Sequence, residues 1–376
     1  MTADRRLLAL QTIFALNALG LAVWLPRIPD VKAALGLDML TLAFGLLGLP
    51  TGTLLGFLTV TRVTGALGIR RTVALAGSAF LVTMIGPGLA TGAASLFAAL
   101  FVAGLTVAAI EVAMNAKASQ MERATGRRLM TRCHAFWSFG MVLGAPIGGA
   151  FAQAGVGLLP QQLVLQPVFA IATLLTARRL IADDPAPAEP ARGLTWPTRA
   201  LLALCLLPIG ALLIEGAMLE WSALYLRQDR AASPLAAGLG LSVFALAMAL
   251  ARLGGDRAAE VAGAGRVLAA SGLAMGGGML GFALAPSVAA TLPFAALAGL
   301  GAGNVYPLAL SLAAALPGRR PEENVATLAL IGFSAFLIAP PLIGGLASVF
   351  GLATALGLLA PLGLVPLAIL GRRGRI

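Results

Sequence analysis

Twelve runs of about 20 residues in this chain carry almost nothing that prefers water, and that pattern leaves few folds open. A ~20-residue apolar helix spans the hydrocarbon of a bilayer, where every backbone N–H and C=O must be paired within the protein. The runs read as helices over Leu7–Leu25, Leu40–Leu58, Thr72–Ala90, Ala94–Ala116, Cys133–Gln153 and Leu158–Ala177, then Ala200–Leu226, Pro234–Ala251, Val267–Ala285, Ala290–Leu316, Asn324–Phe350 and Leu352–Leu370. Of 376 residues 59% are hydrophobic and 11% are charged, against roughly 25% charged in a soluble domain. No soluble fold of this length has interior enough for that much apolar surface. The sequence therefore predicts an all-α membrane protein with twelve spans. The start, MTADRRLLALQTIF, has the arginines and apolar run of a secretory leader, but the run is of spanning length and is read as a first helix that stays.

One long polar stretch interrupts the pattern. Arg178–Arg199 holds four prolines, three acids and four arginines. It divides the chain into a bundle at 1–177, a loop at 178–199 and a second bundle at 200–376. The two halves match at an offset near 195 residues: RTVALAGS from Arg71 lies over RVLAASGL from Arg266, Pro146 over Pro341, and Gly104 over Gly299. A repeat of six helices keeps its orientation, so the halves are expected to relate by an axis along the membrane normal, with a solute site between them near the midplane.

The net charge of +11 does not indicate nucleic acid, because the arginines sit between apolar runs and line no single stripe. Placed on this topology with the N-terminus inside, 22 of the 26 lysines and arginines fall in inner loops. Arg27, Lys32, Arg227 and Arg230 fall outside. That is the bias of the positive-inside rule, and it puts both termini and the central loop in the cytoplasm. Cys133 and Cys205 make neither a disulfide framework nor a metal site, and the single His134 excludes a His-rich cluster, so no metal and no cofactor are expected. There is no G-x-x-x-x-G-K-[ST] phosphate loop and no catalytic constellation, which argues against an enzyme.

Several stretches resemble the major facilitator superfamily. Gly56–Arg71 is similar to its loop between helices 2 and 3, and Ala251–Arg266 to the repeat of that loop between helices 8 and 9. The first copy has Thr61 where the aspartate of the Asp-Arg pair is expected; the second keeps Asp256-Arg257. HAFWSFG from His134, EGAMLEWSALYL from Glu215 and GLGAGNVYP from Gly299 resemble a branch of bacterial inner-membrane carriers related to the fucose permeases. The resemblance implies a monomeric multi-pass protein of the inner membrane, working among lipids by alternating access, with helices 1, 4, 7 and 10 lining a central cavity.

On that basis the polar residues of those helices carry most weight, since a charge in a spanning segment costs roughly 2.5–3.5 kcal/mol on insertion scales. Glu111 and Glu215 are read as proton-titrating or solute-binding carboxylates, and His134 as a third titrating group. Glu111 is placed roughly 8 Å from the cytoplasmic end of its helix and Glu215 roughly 22 Å from the inner end of the seventh. The competing reading of Glu111 is a structural partner for Arg132, Lys117 or His134. Asn17, Trp24, Asn115, Trp137, Asn304 and Tyr306 are expected to line the solute site; the alternative is polar glue between helices. Glu220 with Arg227 or Arg27 suggests an outer gate. Asp256, Arg257, Arg62 and Arg71 suggest an inner latch, beside the alternative of ordinary loop charge. Gly48, Gly52 and Gly56, and Gly140, Gly144 and Gly148, form stripes that let helices approach closely. The stretch GMVLGAPIGG from Gly140 also approximates the glycine-proline motif linked to antiporters.

The expected function is secondary transport of a small organic solute, coupled to protons because a carboxylate shielded from water takes up a proton readily. Uptake is the first reading and efflux of an amphipathic compound the second. A membrane-embedded enzyme or lipid-handling protein, and a sensor that binds without flux, are the alternatives from other classes.

Overall fold

A computed structural model describes residues 3–126, 129–180, 197–317 and 321–373. Among these there is no strand. Twelve helices are long and apolar enough to cross a membrane: α1 Asp4–Ala34, α2 Met39–Phe57, α3 Ile69–Leu89, α4 Ala93–Thr125, α5 Arg132–Gln153, α6 Leu158–Ala177, α7 Arg199–Asp229, α8 Pro234–Ala262, α9 Ala264–Leu284, α10 Val288–Ala314, α11 Glu323–Phe350 and α12 Leu352–Leu370. Most of the central loop expected at 178–199 lies outside the described residues.

The helices group into two compact units. One comprises residues 1–189 with 233–242, the other residues 190–232 with 243–376. The first nine residues of α8, 234–242, thus belong with the first unit. There Ser242 donates to the carbonyl of Val142 at 2.8 Å, and a Cβ on Gly238 would lie 2.5 Å from Ala145 O.

Polar side chains in the spans turn inward and apolar ones cover the outside as well as the core. On α6, Val164, Val168, Ile171 and Leu175 are half exposed, while Gln161, Gln162, Gln166 and Thr173 are fully buried. Apolar side chains facing outward cost nothing in lipid, and polar ones turn inward to find partners.

Within each unit glycines set the helix spacing. A Cβ on Gly104 of α4 would sit 2.2 Å from the carbonyl of Leu49 on α2; one on Gly299 of α10 would sit 2.3 Å from that of Phe244 on α8. Both members of these pairs are 195 residues apart, so the internal repeat extends to individual backbone contacts. The same offset relates Gly68 and Gly263, each joining two helices with φ of 77° and 88°, a conformation open mainly to glycine.

Two of the sequence expectations change here. The connection after α8 is not a loop from Ala251 to Arg266: helix continues to Ala262, and Gly263 alone turns the chain into α9. Arg252, read as loop charge, is therefore inside a spanning helix. In the first repeat a short helix, Val60–Leu67, occupies the corresponding stretch. Likewise α4 runs nine residues past Ala116, to Thr125. Glu111 consequently falls near the middle of its helix rather than near one end.

Candidate functional site

Each unit holds a polar cluster built on a mid-helix carboxylate. In the first, Glu111 and Asn115 lie one turn apart on α4, so their side chains share a face. Asn115 Nδ2 donates to Glu111 Oε1 at 3.0 Å and to Glu111 O at 2.8 Å. With its amide hydrogens turned to Glu111, Asn115 presents Oδ1 to His134 Nε2 at 3.1 Å. An acceptor there requires the proton on Nε2. His134 also stands edge-on to Phe14 of α1, with ring centroids 5.4 Å apart, and its carbonyl accepts from Ser138 Oγ at 3.2 Å. Three of the residues singled out in the sequence are thus joined in one chain, Glu111–Asn115–His134. Among the described residues no ion pair to Glu111 is present: in place of the alternative pairing with Arg132 or Lys117, its carboxylate accepts from Asn115.

The close approach of α5 to α1 positions this chain. Cβ atoms on Gly140, Gly144 and Gly148 would lie 2.3, 2.5 and 2.3 Å from atoms of Ala15, Ala22 and Val23. That contact brings the α5 end carrying His134 against Phe14. Asn17 is buried beside Gly77 of α3; its Nδ2 donates to Ile13 O at 3.3 Å and its Oδ1 has no hydrogen-bond partner among the described residues. Trp24 is fully buried, whereas Trp137 is half buried.

In the second unit, Glu215 lies near the middle of α7 and meets Arg252 of α8. The distance from Arg252 Nη2 to Glu215 Oε2 is 3.6 Å, with side chains 15% and 8% exposed. Arg252 is the residue the sequence reading missed. The apolar run ALAMALA leads up to the arginine, but Leu-Gly-Gly-Asp-Arg follows it. Gly299 and Gly303 bring α10 against α8, and this sets the Asn304 side chain on Gly255, where a Cβ would stand 2.3 Å from Asn304 Oδ1. Gly255 is one turn from Arg252 on the same helix face. Tyr306, Phe333 and Phe336 form an aromatic row with centroids 6.2 and 5.9 Å apart. Phe336 reaches Gly216, beside Glu215: a Cβ there would lie 3.4 Å from its ring.

The gate and latch residues fall differently. Arg27 does not stand ready for an outer gate. Its Nε donates to Asp30 Oδ2 at 2.6 Å, its Nη1 to Gln161 Oε1, and its Nη2 to Val156 O at 2.8 Å. All three nitrogens are committed within the first unit, where they brace α1 against α6. Glu220 Oε2 and Trp221 Nε1 are sealed from solvent and have no hydrogen-bond partner among the described residues. Arg257 pairs with Glu260 at 3.6 Å, one turn along and largely exposed. Arg62, Arg71 and Asp256 are exposed. No group of three or more metal-binding side chains occurs among the described residues.

No family model matches the chain. It is 33% identical over 340 residues to an uncharacterised MFS-type transporter of Yersinia pestis, which covers 89% of this chain and 87% of that protein. Among solved structures it superposes on a D-xylose–proton symporter with a TM-score of 0.82 at 13% identity, over 98% of this chain and 97% of that one. The nucleoside transporter NupG gives 0.76 at 12% identity, over 99% of both chains.

Proposed function

We infer, for a chain that belongs to the major facilitator superfamily of membrane transporters, uptake of a small organic solute by proton-coupled symport. Its relatives are transporters and not enzymes, so the chain moves a small molecule rather than transforming it. The observation that carries the finer reading is the pair of mid-helix carboxylates, each in a different setting. Glu111 has a neutral partner in Asn115 and, through it, His134; Glu215 has a cation in Arg252. A carboxylate in a spanning segment calls for a partner or a task. Protonation of either one changes its cluster's charge by one and so biases any two-state rearrangement of the helices that hold it. The fold shared with a D-xylose–proton symporter favours uptake over the antiport that the glycine-proline stretch of α5 suggests.

In this reading the protein is a monomer of the bacterial inner membrane, of the branch related to the fucose permeases, with both termini cytoplasmic. It cycles by alternating access between bundles 1–177 and 200–376. Glu111, Glu215 and His134 handle the proton. Asn17, Asn115, Trp24, Trp137, Asn304 and Tyr306 contact the solute, Glu220 serves an outer gate, and Asp256, Arg257, Arg62 and Arg71 an inner latch. The test is proton movement in liposomes that hold the purified protein and a trapped pH dye. Acidification when a polar solute is added outside is the expected result. Alkalinisation with an amphipathic compound would mean antiport and efflux, and no proton movement with any solute would sink the coupling.

A further inference from the structure

We propose that Arg252 is the receptor for a carboxylate on the transported solute, and that the solute is a small monocarboxylate admitted when Glu215 takes a proton. The proposal rests on the transporter reading above and names its substrate class.

A guanidinium carries five N–H donors in a fixed fork. Buried polar groups are ordinarily hydrogen-bonded, and an uncompensated buried charge costs several kcal/mol. Arg252, at 15% exposure, makes no hydrogen bond to any described residue; it has one contact with Glu215, at 3.6 Å and therefore outside hydrogen-bond range. Arg27 in the first unit shows what this chain does with a structural arginine: three nitrogens, three acceptors. Arg252 is held in place by charge and left with its fork unspent. Asn304, set beside Gly255 one turn away, also makes no hydrogen bond to a described residue. Two partly exposed polar groups in adjoining positions, each with hydrogen-bonding capacity no described residue uses, suit an occupant with oxygens. A carboxylate fits the guanidinium fork with two parallel hydrogen bonds, and the Asn304 amide is left for a hydroxyl or a second oxygen.

Charge balance fixes the rest. Arg252 with ionised Glu215 is neutral. An entering carboxylate would leave two anions beside one cation. If Glu215 takes up one proton and becomes a neutral acid, the guanidinium transfers its pairing to the solute, and the cluster is neutral again. One proton then accompanies one monoanion and no net charge moves. A dianion such as a phosphate monoester would leave an excess negative charge in the segment. Other titratable groups are placed less closely. Glu220 lies five residues along α7, Tyr306 is on α10, and Arg266 and Glu323 lie near the ends of α9 and α11, the helices packed on α7. Asp256, Arg257 and Glu260 lie one to two turns beyond Arg252 on α8.

The experiment uses the full chain, in detergent for thermal stability and in dye-loaded liposomes for flux. Gluconate, shikimate and phenyllactate are the probes; methyl shikimate and xylose are neutral controls. At least one carboxylate should raise the unfolding temperature by several degrees, more at pH 5.5 than at pH 8, and should drive proton entry that an imposed membrane potential leaves unchanged. Methyl shikimate should do neither. Arg252→Lys should weaken carboxylate binding at least tenfold. Glu215→Gln should bind carboxylate equally at both pH values and lose proton entry. The double variant Glu215→Gln/Arg252→Gln removes both charges without stranding either, so it should fold and ignore carboxylates.

Proton entry with xylose or methyl shikimate alone would overturn the carboxylate assignment and leave proton-coupled transport standing. A carboxylate response intact in the double variant would overturn the role of Arg252. Carboxylate binding that depends on Arg252 but moves no protons would uphold the receptor and sink the coupling. Silence with every probe would overturn both.

Discussion

His134 and Asn115 meet at 3.1 Å, Nε2 to Oδ1, and the direction of that bond is set by Asn115's other commitment. Because the amide hydrogens face Glu111, the oxygen faces the imidazole, and the histidine must donate. His134→Gln retains a donor at that place but cannot titrate. If the imidazole takes part in coupling, the variant should fold and bind solute while the pH dependence of uptake changes. An unchanged profile would make the histidine structural. Asn115→Leu breaks all three of its side-chain hydrogen bonds at once and should lower proton-coupled uptake at least tenfold.

Glu111→Gln tests the carboxylate at the other end of that chain. The amide can still accept from Asn115, so the hydrogen-bonded geometry survives while the charge does not. We expect expression and thermal stability close to the parent protein, with solute-driven proton entry abolished. Solute exchange without a proton gradient should persist, since exchange needs no net proton release. Unaltered proton entry would remove Glu111 from the mechanism.

The asymmetry between the two clusters explains what the sequence disclosed. Twelve helices were legible because the bilayer demands length and apolarity, and both read directly from composition. Glu111, Asn115 and His134 were legible as polar residues in apolar surroundings, yet their linkage was not, because α4 and α5 meet through tertiary packing. Arg252 was lost for a sharper reason. An arginine followed by Leu-Gly-Gly-Asp-Arg looks like the start of a loop, and the helix ends only ten residues later at Ala262. Arg27 erred the other way: its position suggested a gate, while its acceptors Gln161 and Val156 lie 134 and 129 residues away in sequence.

Asp256, Arg257 and Glu260 extend beyond the apolar part of α8. Arg257 and Glu260 are 81% and 66% exposed, so their pairing contributes little to stability. If these residues form a latch, Asp256→Asn should slow turnover severalfold with solute affinity within twofold of the parent. A loss of affinity at constant turnover would return them to ordinary surface charge.

Asp38 caps α2: Thr41 N donates to its carboxylate at 2.8 Å and Thr41 Oγ1 at 2.7 Å. The backbone bond first and the hydroxyl bond second hold its carboxyl below the usual carboxylate range. A carboxyl lowered in the folded state adds stability that is fully present above its ordinary pKa of about 3.9 and fades as pH falls through the lower folded value. Asp38→Ala should therefore lower the unfolding temperature by a small, constant amount from pH 5 to pH 8. The difference from the parent should shrink below pH 4. A difference that held constant down to pH 2.5 would exclude the carboxylate as its source.

Gly276, Gly277 and Gly278 on α9 make a test of close packing within three residues. A Cβ on Gly276 would stand 2.5 Å from Ala360 O, and one on Gly278 2.3 Å from Ala298 N, both rigid backbone atoms; one on Gly277 would meet nothing within 4 Å. Overpacking of this kind costs about 1–3 kcal/mol, whereas glycine to alanine at an open helical site gains roughly 0.5–1 kcal/mol. Gly276→Ala and Gly278→Ala should each lower the unfolding temperature in detergent by several degrees, and Gly277→Ala should leave it unchanged or raise it. The consequence for transport follows from geometry. Gly278 sets the distance between α9 and α10, and α10 carries Asn304, so its alanine variant should also impair solute binding while Gly277→Ala does not. Equal behaviour of all three would mean that α9 yields to a methyl group on either side, and the α9 glycines would then play no part in positioning α10.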